Sequence, residues 1–153
     1  MAKTITRRIV FKNIPAEVLY DTYMNAKEHS AAVGVAAKIQ NKEGAKFNAH
    51  ENYVTGKNLQ LIRHKLVVQT WRASDWSKSE LDSTFILAFE QRGSDGIVNM
   101  IHANVPDKHV AGIRKGWDDY YWKPWKKYFA ERRKKMSSIV RSKYSNSSII
   151  KST

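Results

Sequence analysis

Cysteine is absent from the 153 residues. That removes disulfides, thiolate nucleophiles and thiolate-bound zinc, and it leans toward a reducing, intracellular setting. Long apolar runs are missing as well. None reaches the roughly 18–20 residues that a membrane helix needs. The opening MAKTITRRIVFKN has no apolar stretch of the kind a secretory signal requires. The expectation is a cytoplasmic protein with no membrane span. Catalytic signatures are also lacking. There is no G-x-S-x-G and no Gly-rich phosphate loop, and His29, His50, His64, His102 and His109 show no HxH, HxxxH or HExxH spacing. Asp118 and Asp119 are adjacent, so on a helix they point about 100° apart, wrong for a working carboxylate pair. No catalytic residue, metal or cofactor is expected, and the chain is not expected to be an enzyme.

Acidic residues are scarce: 14 against 27 basic ones, a net charge of +13. Such a balance attracts nucleic acid, anionic surfaces or acidic proteins. The excess is uneven. Residues 131–153 hold Arg132, Arg133, Lys134, Lys135, Arg141, Lys143 and Lys151 against Glu131 alone, with seven serines from Ser137 to Ser152. This segment is expected to be a flexible basic tail beyond a single domain over residues 1–130.

What is present is a periodic pattern of strands and helices. Ile5, Arg7, Ile9 and Phe11 alternate with Thr6, Arg8, Val10 and Lys12, which predicts a strand over Thr4–Lys12. Pro15 suits the first turn of a short helix, flanked by Val18, Leu19 and Thr22. Asn25, with Glu28 three residues on, predicts the start of a second helix, and Gly34 its end. Further strands are expected at Val35–Gln40, Lys46–Glu51, Val54–Ile62, Lys65–Arg72, Leu81–Gln91 and Ile97–Ala103. A polar loop at Ser74–Glu80 holds Trp76, and Gly93-Ser94-Asp95-Gly96 forms a hairpin turn. Pro106 breaks the sheet, and Asp107 is placed to cap the next helix. Val110, Ile113, Trp117, Tyr121, Pro124 and Tyr128 recur every three or four residues, the apolar stripe of one long helix. Pro124 inside it predicts a kink or a freed carbonyl.

Several pieces together resemble one family. They are IPAEVLYDTYMNAKEH, GAKFNAHENYVTGKNLQL, KLVVQTWRASDW, FILAFE, IHANVP and GWDDYYWKPWKKYF, in that order. Phe11 through Phe129 is similar to the C-terminal-like domain of the activators of the ninety-kilodalton heat-shock chaperone's ATPase. That group lies within the START, birch-pollen-allergen-like or SRPBCC superfamily. The resemblance implies an α+β helix-grip fold: a curved antiparallel sheet of about six or seven strands around a long C-terminal helix, with two short helices after the first strand. It also implies a chaperone as one expected partner. The eukaryotic activators carry an N-terminal domain that makes the main chaperone contact, and no part of these residues resembles it. Asn52 stands where the family often has glycine, and the basic tail lies outside the family pattern.

Folds of this shape often leave an apolar cavity of roughly 300–1,000 Å³ between sheet and helix. Phe47, Gln69, Trp71, Phe85, Phe89, His102, Trp117 and Tyr121 are the candidates to line it, with a small apolar ligand or a protein as partner. The competing expectation is that these aromatics simply fill the core. In that case Gln69 and His102 merely satisfy their neighbours. Trp122 and Trp125 lie off the stripe, among Lys123, Lys126 and Lys127. With Arg132, Arg133, Lys134 and Lys135 they form a candidate surface for a partner or for nonspecific nucleic-acid binding. Alternatively the two tryptophans pack inward.

Overall fold

Alternating side chains build the larger layer. The computed structural model describes residues 1–135 and Ile139; the rest of the expected tail lies outside the described residues. Six strands, β1 (Ala2–Phe11), β2 (Lys46–Ala49), β3 (Val54–Ile62), β4 (Leu66–Ala73), β5 (Ser83–Arg92) and β6 (Asp95–Pro106), form one sheet in the order β1-β6-β5-β4-β3-β2. Every pairing is antiparallel. β4 alternates without a break: Val67, Gln69, Trp71 and Ala73 are buried while their neighbours are half-exposed. The same pleat buries Phe85, Leu87 and Phe89 on β5. β5 and β6 join through Gly93 and Ser94 alone, with Arg92 opposite Asp95 and Gly93 at φ +59°.

Two short helices follow β1. α1 (Ala16–Met24) turns Leu19, Tyr20, Tyr23 and Met24 inward. α2 (Ala26–Val33) starts where Asn25 accepts a hydrogen bond from the Glu28 amide at 3.0 Å, and it stops at Gly34, φ +77°. Both boundaries match the sequence expectation. The Val35–Gln40 strand does not form. A single bridge, Lys38 opposite Asn48, remains, because β2 is only four residues long and offers no longer partner. β2 ends at Ala49 instead of reaching Glu51, because His50, Glu51 and Asn52 all take left-handed backbone angles. β6 runs through Ala103 to Pro106, whose missing amide costs nothing at a strand end. Asp107 caps no helix with its side chain; it pairs with Lys3 at 3.0 Å and opens a short 3₁₀ turn.

The long helix lies across this sheet. α3 (Val110–Trp117) passes into a π turn at Asp118–Trp122, and the chain is α-helical again over 123–135. The helix therefore runs past residue 130. The π turn sits just ahead of Pro124. Proline has no amide to bond the carbonyl four residues back, and the Lys123 amide reaches five residues back to Asp118. That extra residue rotates everything after it. The expected continuation of the stripe, Pro124 and Tyr128, is only half-buried, while Trp122, Trp125 and Phe129 go inward. Arg7 on β1 clasps the turn from the sheet side, with both nitrogens of its fork on the Asp118 carboxylate.

Candidate functional site

The interior between sheet and helix is filled. Phe85 stacks on Trp117 with centroids 4.3 Å apart and planes 5° from parallel, and Trp117 meets Tyr121 at 4.6 Å. Phe89 packs edge-on to Tyr20 at 5.5 Å. Phe47 covers Gly56, where any Cβ would strike the Thr70 carbonyl.

The two buried polar candidates are fully engaged. The Tyr23 hydroxyl donates to Gln69 Oε1 at 2.8 Å, and Gln69 Nε2 donates to Asn58 at 2.9 Å. The Trp117 indole donates to His102 Nδ1 at 3.0 Å. The proton must therefore sit on Nε2, which donates to Ser83 Oγ at 2.8 Å; that hydroxyl in turn donates to the Trp71 carbonyl at 2.6 Å. Burial lowers His102 to about 3. Protonation would aim a second N–H at the indole. His29 is similar. Its Nδ1 donates to the Tyr23 carbonyl at 2.8 Å and its Nε2 accepts from the Tyr121 hydroxyl at 3.0 Å. Desolvation holds His29 down to about 4 and pushes Tyr121 up. Both imidazoles are locked neutral as parts of the core.

Space opens one step to the side. A cleft of about 460 Å³ lies between α3 and the turn that joins β2 to β3. Of the expected cavity residues, Trp71, Trp117 and Tyr121 reach it and form its aromatic floor. Gln69, Phe85, Phe89 and His102 do not line it, and Phe47 lines a separate hollow beside Ala37 and Lys46. The walls are Tyr53 and Tyr120, both exposed at the rim, with Ile113, Gly112 and Gly116 along the helix. Tyr53 donates its hydroxyl to Asp75 at 3.1 Å, and Lys108 is held by Glu80 at 3.3 Å. Lys108 is thus paired with an acid, while Asp75 keeps its charge and accepts only from a phenol. His50 packs its ring edge-on against Tyr120 and Tyr121, at 5.8 and 5.2 Å. Its Nε2 is a buried atom with no hydrogen-bond partner. Burial lowers its pKa below the usual value.

The two helix glycines are unusual in what they leave empty. A Cβ on Gly112 would meet nothing within 4 Å, and one on Gly116 only a Tyr120 ring carbon at 3.7 Å. Glycine inside a helix costs about 1 kcal/mol relative to alanine. Packing does not demand either glycine, and helix stability disfavours both; what they supply is open cleft.

The sequence expectation missed His50, Tyr53, Gly112, Gly116 and Tyr120. Two signals pointed there. One is the pair of glycines four residues apart inside one helix. The other is Asn52, which takes φ +71° in the turn beside the cleft.

The basic surface divides. Lys123 pairs with Asp119 at 3.0 Å and Arg132 with Glu28 at 3.3 Å. Lys126 and Arg133 donate to the Val10 and Lys12 carbonyls, at and just past the C-terminal end of β1. Lys127, Lys134 and Lys135 are exposed. Trp122 and Trp125 are 3% and 0% exposed, so neither can stack on a base. Among the described residues no helix is long and apolar enough to cross a membrane.

A curved antiparallel sheet gripping one long helix is the helix-grip architecture of START and SRPBCC proteins. Within that class the chain belongs to the family described as Activator of Hsp90 ATPase homolog 1-like protein, whose model matches residues 13–130. Among curated relatives, an activator of 90 kDa heat shock protein ATPase homolog from Dictyostelium discoideum is 27% identical over 116 residues, covering 75% of this chain and 30% of that protein. The human activator of 90 kDa heat shock protein ATPase homolog 1 is 26% identical over 125 residues, covering 82% of this chain and 36% of that one. The chain thus spans about a third of these relatives' length. Among solved structures, an HSP90 activator from Plasmodium falciparum superposes with a TM-score of 0.70 at 20% identity, covering 78% of this chain and 90% of that one. A Mesorhizobium loti protein does so at 0.73 and 12% identity, covering 84% and 98%. At these identities the structural likeness establishes the fold.

Proposed function

We propose that this is a non-catalytic binding domain that takes a small, largely apolar ligand into the cleft beside α3. The observation that carries this is the open volume over Trp71, Trp117 and Tyr121, kept free by Gly112 and Gly116. Its size falls in the range of small-molecule sites, roughly 300–1,000 Å³. The surrounding polar groups suit orientation of a ligand. His29 and His102 are committed to the core by hydrogen bonds on both ring nitrogens. A cytoplasmic setting belongs to this reading, since a cysteine-free chain suits a reducing compartment.

The test is titration with prodan, a neutral naphthalene fluorophore. Wild-type protein should bind it with a blue-shifted emission, and Gly112→Leu, which fills the slot, should abolish binding with the melting curve still cooperative. Undiminished binding in a folded Gly112→Leu protein removes the cleft as the site.

A second reading rests on the relatives' names: the domain regulates a ninety-kilodalton heat-shock chaperone. Exposed Tyr53 and Tyr120 at the cleft rim would then be docking residues. A pull-down with the purified chaperone and an ATPase assay, comparing wild type with Tyr120→Ala, decides it. No binding and no change in ATPase rate would exclude that role.

A further inference from the structure

The rim of the cleft sets the charge of its ligand, on the premise of the ligand-binding reading above. Two imidazole nitrogens in the wall lack hydrogen-bond partners, His50 Nε2 and His109 Nε2, but both are buried and present nothing to a ligand. Recognition therefore falls on side chains that reach the opening. Asp75 is the one acid among the lining residues, and it is exposed. Its carboxylate accepts from the Tyr53 hydroxyl at 3.1 Å, and among the described residues no Lys or Arg pairs with it. A phenol fills one of about four acceptor sites on a carboxylate and neutralises none of its charge. The basic side chains of the rim are already matched. Lys108 is held by Glu80 at 3.3 Å, and His109 lies 3.5 Å from the same carboxylate. We propose that the cleft selects organic cations, molecules with a flat apolar body and a protonated amine, the body over Trp71 and Trp117 and the amine at Asp75.

The acid is anchored on both sides. Before it, the Ser74 amide donates to the Tyr53 carbonyl at 2.8 Å; after it, Trp76 is buried and packs against Trp71 with centroids 5.6 Å apart. Asp75 is thereby pre-placed beside the β2–β3 turn. Burial first, and then its bond to Asp75, raise the Tyr53 pKa, so the phenol stays a neutral donor. Tyr53 and Tyr120 are exposed at the rim, and the faces of aromatic rings attract cations. The net charge of +13 repels a cation at long range, but charges farther off than about 8 Å are screened at physiological salt, so the local acid decides. An exposed ion pair and a cation–ring contact together give about a tenfold gain in affinity.

Calorimetric titration of the full chain at pH 7 with 2-naphthylmethylamine, 2-naphthylmethanol and 2-naphthoate tests this, since the three share one ring system and differ in charge. The expected result is the protonated amine binding about tenfold more tightly than the alcohol, with the carboxylate weaker than the alcohol. In Asp75→Asn, which still accepts from the Tyr53 hydroxyl, the amine's advantage should fall to about two- to threefold, the remainder owed to the rings, with the alcohol's affinity unchanged. Asp75→Ser serves as the second variant should the first fail to melt cooperatively. Equal affinity for amine and alcohol in wild type overturns the cation assignment and leaves the ligand cleft standing. A tenfold preference that survives in a folded Asp75 variant removes Asp75 from it. Tightest binding of 2-naphthoate overturns the sign of the charge. Failure of all three to bind overturns this inference together with the ligand-binding function.

Discussion

The two ends of the long helix face the same sheet and are packed in opposite ways. From the last residue of the π turn onward, Trp122, Trp125 and Phe129 seal against β1 and the interior, and Trp125 has no exposed surface at all. Before it, α3 turns Gly112 and Gly116 toward open volume, leaving Trp71, Trp117 and Tyr121 as a floor. The sealed end commits large aromatics to stability. The open end gives up helix stability for space. The hinge between these regimes is the one-residue expansion before Pro124. The difference teaches where to seek function on a fold that this family shares: not among the biggest buried side chains, but where small ones leave them uncovered.

The largest expected effect falls on the sealed end. Trp125→Ala should cost about 3–5 kcal/mol in denaturant melts, as a fully buried aromatic truncation, while a folded fraction keeps its prodan affinity. A cost under about 1 kcal/mol would show that this end is loosely packed and the contrast false.

Next comes acid sensitivity. His29 is held down to about 4 and His102 to about 3, both by burial. Their folded values lie below the unfolded value, so above about pH 6.5 the stabilisation is fully present. As pH falls through 6.5 the unfolded chain takes up protons that the folded chain refuses. Stability then declines until the folded values are reached. From pH 6 to pH 5 the two histidines together should cost about 2 kcal/mol. Stability that stays flat across that interval would mean that water or charge reaches these imidazoles, and that the sealed interior is not sealed.

The smallest effect has the most telling sign. Gly112→Ala should stabilise the fold by up to about 1 kcal/mol, from helix propensity alone, and at the same time weaken prodan binding. Gains in both stability and affinity would mean that the glycine does not serve the cleft.

Much of this architecture is legible in the sequence because local rules set it. Period-two alternation marks the strands, Asn25 and Gly34 mark the ends of α2, and three-and-four spacing marks α3. The family motifs supply how these elements assemble. Two features are not legible. Val35–Gln40 has strand-like composition but lacks a partner strand of matching length, which only tertiary structure reveals. Spacing alone carries the helical stripe straight through Pro124, whereas the π turn shifts its phase by one residue and exchanges Pro124 and Tyr128 for Trp125 and Phe129. The candidate cavity fails in part for a related reason. Inward parity marks large residues as lining, yet most of them fill the interior, and the cleft is defined by residues with little or no side chain.

Amide chemical-shift mapping of a prodan titration tests this account most directly. Perturbations should concentrate on Gly112, Gly116, Tyr53 and their neighbours in the β2–β3 turn, with Gln69, Phe85 and Phe89 unmoved. Shifts centred on Gln69, Phe85 and Phe89 would contradict it, because the ligand would then occupy the interior that the structure shows filled.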